Sequence, residues 1–244
     1  MTESNKIIQS FWLGKNLSKL EQLSISSYLM NGHEFHLYCY EDILGLPTGT
    51  IVKDANKIIE NKYVFADPQG SLAPFADWFR YLLLFEKGGW WVDMDSVCLK
   101  YFDFPEDHCF SSEVDVRQRS KYLINNTYIK AVKGDDFLQD CIDYIKLRGI
   151  NDLRWAEFGP QLLGKILSKY DIKDCVKTPE VFCPSSWFEI SNLIAKPSEI
   201  IFVNEQTYAI HFWNEIWRRG HLDKNATYHP DSIFEQMKKK YEIA

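Results

Sequence analysis

The 244-residue chain has no CxxC pair; its six cysteines, at positions 39, 98, 109, 141, 175 and 183, are scattered. Neither a disulfide framework nor a zinc site is signalled, and such thiols suit a reducing cytosol. Long apolar runs are also missing: the longest, Tyr81 to Phe85, falls far short of a membrane span. The N-terminal MTESNKIIQSFWLG lacks a basic segment followed by an apolar one, so no signal peptide is expected, and any membrane contact would be peripheral. Positive charge is sparse. The formal net charge is −6, and no Lys/Arg run precedes Lys238-Lys239-Lys240, which argues against a nucleic-acid binder. No GxGxxG or Walker pattern occurs, which excludes a classical dinucleotide fold and a P-loop. With no repeats or low-complexity linkers, one domain is expected over 1–244, with a core from about 6 to 220 and a helical tail over 221–244.

Aromatics, by contrast, are plentiful: eight Trp and thirteen Tyr exceed what packing usually needs. Most belong to a core, and some are expected to face the rings of a sugar or base. The apolar KIIQSFWL (6–13) ends at Gly14 and reads as a buried strand. A helix over 17–30 closes at Asn31-Gly32, and alternating Phe35 to Tyr40 is a second strand. A β-α-β opening favours a parallel sheet, whose ligands bind beyond the carboxyl ends of its strands. Phe11 and Trp12 would sit at such an end, either as a platform for a base or as a packed strand terminus. Lys53 to Asn61 reads as a helix and 67–71 as a turn.

The most informative stretch is 74–99, PFADWFRYLLLFEKGGWWVDMDSVCL. A helix from Pro74 to Lys87, stopped by Gly88-Gly89, is apolar almost all round and should be deeply buried. Asp77 and Arg80 interrupt it at i and i+3 on one face. They form either a buried ion pair, which rarely improves on apolar packing, or contacts to a ligand bearing hydroxyls and a diphosphate. A strand from Trp90 then ends in Asp93-Met94-Asp95. In extended backbone both carboxylates would project to one side and hold Mg²⁺ or Mn²⁺ while a diphosphate completes the shell.

Further on, 103–119 reads as a polar loop over the site, and Asn125-Asn126 precede a β-like TYIKAV. Helices follow over 137–147 and 161–170; PEVFCP (179–184) reads as a strand, as does YAIHFW (208–213). His211, Trp213 and Asn214 cluster at the end of that last strand, where His211 is either a structural histidine or a ligand. Asp231 to Tyr241 is a charged amphipathic helix, solvated or touching anionic lipid.

These motifs resemble the α-1,4-glycosyltransferases of glycosyltransferase family 32 and, more distantly, the large clostridial glucosylating toxins. The resemblance rests on Asp77, Arg80, Gly88, Gly89, Trp90, Trp91, Asp93 and Asp95, then on EFGPQLLGKIL (157–167), PEVFCP and YAIHFWN (208–214). It departs from the family pattern at Ala76, Trp91 and Phe158. The resemblance implies an α/β fold of GT-A type, a Rossmann-like, mostly parallel central sheet flanked by helices. It implies a metal (Mn²⁺ or Mg²⁺) held by Asp93, Asp95 and His211, with Asp77 and Arg80 on the donor sugar and phosphate. Phe11 and Trp12 would face the base, Asn126 and Gln161 the sugars, and Trp91, Trp213, Asn214 and Trp217 would wall the acceptor or sugar.

The implied reaction moves a hexose or N-acetylhexosamine, with retention, from a nucleotide sugar, UDP-galactose or UDP-N-acetylglucosamine in front, to a glycan or lipid-linked acceptor. A cytoplasmic enzyme of surface polysaccharide (capsule or lipopolysaccharide) synthesis, at most peripheral to the inner face of the membrane, is expected. The rivals are a haloacid-dehalogenase-like phosphatase, which also places DxD after an apolar strand, and a catalytically silent carbohydrate-binding protein of the same fold.

Overall fold

Trp90 and Trp91 are adjacent in sequence and point to opposite faces of one strand, so each anchors a different core. The computed structural model describes residues 5–196 and 203–243. Its central sheet has the order β3–β2–β1–β4–β7–β6, from β1 (Ile7–Phe11), β2 (Glu34–Cys39), β3 (Ile51–Asp54), β4 (Gly89–Val92), β6 (Cys109–Val114) and β7 (Tyr122–Ala131). Strand β1 runs parallel to both β2 and β4, and β2 is parallel to β3. Strand β7 is antiparallel to β4 and β6. The expected mostly parallel α/β sheet is therefore present, with an antiparallel pair at one edge.

Helix α1 (Lys19–Met30) starts at a capping box in which the Ser18 N–H donates to Glu21 Oε2 at 2.8 Å. It packs on the face that holds Trp90, Phe102 and Phe182. The opposite face, with Trp91 and Ile129, is covered by α2 (Ala73–Lys87), α3 (Asp136–Arg148) and α4 (Pro160–Leu167). Helix α2 ends at Gly88, where φ is +67° and an added Cβ would lie 2.7 Å from the Lys133 backbone nitrogen. Only glycine permits both the turn and that approach. The chain thus re-enters the sheet as β4 directly beside β1.

Four local expectations fail for physical reasons. Lys53 to Asn61 is not a helix, because β3 runs to Asp54 and its carboxylate captures the Asn56 N–H at 2.9 Å, which supports a single 3₁₀ turn, Ala55–Lys57. Residues 103–119 are not all loop. They contain the buried start of β6, whose serines are satisfied internally: Ser112 Oγ donates to the Lys177 carbonyl at 2.7 Å, and Ser111 Oγ accepts the Tyr128 N–H at 3.1 Å. PEVFCP opens with a short helix, α5 (Pro179–Phe182), since proline suits a first helical turn. Asp93-Met94-Asp95 is a turn rather than extended strand, with the Ser96 N–H donating to the Asp93 carbonyl at 3.2 Å.

A second, two-stranded ribbon joins β5 (Ser96–Cys98) to β8 (Ala209–His211) antiparallel, with Ser96 opposite His211. Helices α6 (Ser191–Ile194), α7 (Asn214–Arg219) and α8 (Ile233–Lys240) complete the described chain. The expected C-terminal tail is part of the first core: Phe234 is fully buried, and the Tyr241 hydroxyl donates to the Cys98 carbonyl at 2.6 Å. No helix among the described residues is long and apolar enough to cross a membrane.

Candidate active site

The strand order switches direction where β1 and β4 adjoin, the place at which open α/β sheets bind ligands beyond their strands' carboxyl ends. Helix α2 delivers Asp77 and Arg80 one turn apart to the carboxyl end of β4. Arg80 Nη2 lies 3.1 Å from Asp77 Oδ1 and Arg80 Nη1 lies 3.1 Å from Asp93 Oδ1. The guanidinium also donates to the Asn126 carbonyl and sits 4.8 Å from the Trp91 ring centroid. Asn126 Nδ2 donates to Asp77 Oδ1 at 2.7 Å, and Trp91 Nε1 to Asp93 Oδ1 at 2.9 Å. Asp77 and Arg80 are therefore a buried ion pair, and that pair is also welded to the first aspartate of DxD.

The second aspartate is held from the far end of the chain. Asp95 Oδ2 lies 3.1 Å from His211 Nε2 and accepts the Asn214 N–H. The Phe212 N–H donates to the Asp95 carbonyl at 2.8 Å, which extends the ribbon register past Ser96. Trp213 takes a left-handed conformation, φ +56°, uncommon for a bulky residue. That turn ends β8 and starts α7, aiming the Asn214 N–H at Asp95.

One ligand atom each from Asp93, Asp95 and His211 lie within 4.8 Å of one another, so the cluster could hold a metal ion. Three buried or part-buried carboxylates here face one guanidinium and one imidazole. A surplus of buried anion is costly, and a divalent cation offsets it.

The electrostatics follow from burial and proximity. Burial pushes the Asp77 carboxyl up to about 6, with Asp93 adding to the rise and Arg80 opposing it. Asp93 is also raised, by burial first, with Arg80 opposing and Asp95 adding to the rise. For Asp95 burial pulls upward, but the His211 charge and its hydrogen bonds win and lower it. Burial pulls His211 down, and the Asp95 carboxylate overcomes it and holds the imidazole well above its usual range. Cation binding at this pair would displace that proton.

Asp77, Arg80, Trp91, Asp93, Asp95, Asn126, His211, Trp213 and Asn214 thus come together. Others do not. Phe11 is stacked on Phe79 at 4.4 Å and flanked by Tyr40 and Phe75, a packed strand end; Trp12, beyond it, is half-buried. Gln161 is exposed on α4 and donates to the Trp155 carbonyl at 3.2 Å. Trp217 is no sugar wall: it is 1% exposed, enclosed by Tyr228 and Phe234, with its N–H satisfied by the Phe212 carbonyl at 2.6 Å.

Sequence reasoning also misses Gly159. An added Cβ there would lie 2.8 Å from Asp77 Oδ2 and 3.2 Å from Asn126 Nδ2, so glycine keeps that space open. Its signal was the Gly-Pro inside EFGPQLLGKIL, read only as part of a motif.

No family model matches the chain. It is similar to lactosylceramide 4-alpha-galactosyltransferase of Mus musculus, 26% identical over 169 residues, covering 64% of this chain and 45% of that protein. The Homo sapiens protein of the same name is 24% identical over 170 residues, covering 62% of this chain and 46% of its own. The chain therefore spans about half the length of these relatives. Among solved structures, PaToxG glycosyltransferase superposes with a TM-score of 0.51 at 20% identity, over 68% of this chain and 69% of that one. The ligand-free glycosyltransferase domain of the YGT toxin gives 0.50 at 10% identity, over 97% and 94%. The family resemblance carried by the motifs is borne out: the chain is similar in sequence to α-1,4-galactosyltransferases and has the GT-A-type fold of toxin glycosyltransferases.

Proposed function

We propose that the chain is a metal-dependent glycosyltransferase, moving a hexose or N-acetylhexosamine from a nucleotide sugar to an acceptor hydroxyl with retention. One observation carries the reading. Asp77, Arg80, Asp93, Asp95, Asn126 and His211, from one helix, one turn and two strands, converge at the switch point of the sheet. The relatives are named for galactosyl transfer, which supports testing UDP-galactose first; UDP-N-acetylglucosamine follows from the motif resemblance.

Asp93, Asp95 and His211 would hold the cation, which when bound supplies positive charge against a diphosphate leaving group. Arg80 adds a fixed positive charge beside it; its buried Nε has no partner among the described residues and remains free to donate. Asp77 Oδ1 is occupied by Arg80 and Asn126, so Oδ2, in the space beside Gly159, is left to accept a sugar hydroxyl. The bond from the anomeric carbon to the diphosphate breaks, the acceptor oxygen bonds to the same face, and its proton passes to a diphosphate oxygen. Cytoplasmic location and a role in surface-glycan synthesis belong to this same reading.

The phosphatase reading fits less well. Its nucleophile would be Asp93, whose Oδ1 is engaged by Arg80 and by the Trp91 N–H. A carboxylate tied to a buried guanidinium is a poor nucleophile. The test is to incubate the protein with UDP-galactose, UDP-N-acetylglucosamine, UDP-glucose and GDP-mannose, with Mn²⁺ or EDTA, and follow nucleotide release. We expect metal-dependent release that Asp95→Ala abolishes. Phosphate release from p-nitrophenyl phosphate, or sugar binding with no turnover of any donor, would overturn the proposal.

A further inference from the structure

One tryptophan beside the site takes no part in that chemistry. Trp155 is 57% exposed, whereas Trp91, Trp213 and Trp217 are 2%, 8% and 1% exposed. An exposed indole offers a flat apolar surface with a polar N–H edge, the form that stacks on a sugar ring.

The segment that carries the ring is nevertheless held in place. Gln161 Nε2 donates to the Trp155 carbonyl at 3.2 Å, and two residues on Glu157 is tied to Arg148 Nε at 2.7 Å and to the Arg154 N–H at 2.9 Å. Above the ring, the Arg219 guanidinium lies 5.4 Å from the indole, and Arg219 Nε donates to Glu215 Oε1 at 2.7 Å. Glu215 is itself clamped by Arg218. The indole is therefore braced by a cation tied to Glu215, and more than half of the residue stays exposed.

Both supporting segments are rooted in the site. The Trp155 segment continues to Gly159, against Asp77, and the Arg219 helix begins at Asn214, whose N–H donates to Asp95. The rise along α7 from Asn214 to Arg219 is about 7.5 Å. The ring is thus tied through both segments to residues that touch Asp77 and Asp95.

We propose that Trp155, braced by Arg219, is the platform on which the acceptor glycan stacks. The apolar C–H face of a pyranose lies on the exposed indole, and its hydroxyls meet Gln161 and Arg219. The occupant's identity as an acceptor rests on the transferase reading; the platform itself does not. Leu147 and Ile150, exposed nearby in sequence, offer the alternative of an apolar or lipid contact, which the test must separate.

The experiment is a ¹H–¹⁵N spectrum in which the Trp155 indole signal is assigned by its loss in Trp155→Phe. Lactose, N-acetyllactosamine and maltose are titrated with and without UDP and Mn²⁺, and phosphatidylcholine/phosphatidylglycerol vesicles are added separately. We expect a saturable shift of that signal with at least one saccharide, and a midpoint raised at least threefold in Arg219→Ala. No shift with any saccharide, equal shifts at all indoles, or a response to vesicles alone would overturn the platform. A shift without nucleotide release from any donor keeps the platform and removes the transferase reading; release without a shift does the reverse.

Discussion

Replacing Gly159 with alanine perturbs the buried Asp77 carboxylate through a single methyl group. The new Cβ would stand 2.8 Å from Asp77 Oδ2, so Asp77 must retreat by roughly 0.6 Å to regain the 3.4 Å of ordinary contact. Asp77 is poorly placed to retreat, since Oδ1 is held by Asn126 at 2.7 Å and Arg80 at 3.1 Å. Nor is the glycine free to move: its carbonyl accepts the Leu163 N–H at 3.0 Å and the Tyr81 hydroxyl at 3.4 Å. Overpacking of this kind costs about 1–3 kcal/mol. Displacing a positioning group by a good fraction of an ångström should lower turnover about tenfold or more. Urea unfolding of the wild type, Gly159→Ala, Asp77→Ala and the double variant isolates the contact without reference to activity. In the Asp77→Ala background the clash partner is gone, so the second substitution should cost less by about 1–2 kcal/mol. Strict additivity, within about 0.5 kcal/mol, would refute the close approach.

Two further perturbations probe the buried charges. Arg80→Met leaves Asp77 and Asp93 without their shared cation and should destabilise the fold by about 3–5 kcal/mol in urea, a loss under about 1 kcal/mol refuting the network. His33 is buried, its Nδ1 facing the Asn5 carbonyl at 3.0 Å and its Nε2 accepting the Phe102 N–H at 3.1 Å, and burial lowers its pKa from 6.5 to about 4. Folding therefore favours neutral His33: its contribution is complete above pH 6.5 and is lost as pH falls toward 4, by about 3 kcal/mol. His33→Gln, which retains a donor and an acceptor, should flatten this part of the stability-versus-pH curve; an unchanged slope would assign the acid loss elsewhere.

Local signals carried much of the architecture. The Asp77–Arg80 spacing, the Gly88-Gly89 stop and the apolar start of β4 are short-range facts, so helix, turn and strand were legible in order. What failed depended on partners far away in sequence. The serines of β6 look like loop until Lys177 and Tyr128 satisfy them. Trp155 and Trp217 are equally apolar on paper; Phe234 and Tyr228 bury one, and the other is left at the rim. Asp93 and Asp95 were expected to align because extended backbone alternates, yet they sit in a turn, and their convergence has another cause.

That cause is the β5–β8 ribbon. Ser96 pairs with His211, so Asp95, one residue earlier, lies beside Phe212 and receives its N–H at 2.8 Å. That register, together with the Asp93–Asp95 turn and the left-handed Trp213 that aims the Asn214 N–H at Asp95, brings the His211 imidazole and the Asp95 carboxylate to 3.1 Å. A one-residue slip would send His211 to the other face of the ribbon and leave Asp95 buried without its cation. The same ribbon face is closed by Tyr28, whose hydroxyl lies 2.9 Å from Ser96 Oγ, so the slip is opposed by core packing as well as by charge. Asp95 and His211 are thus held together by a ladder whose ends come from opposite halves of the chain. On the metal-dependent reading proposed above, packing around Trp217 and Phe234 would then bear on metal affinity, although neither residue is a ligand.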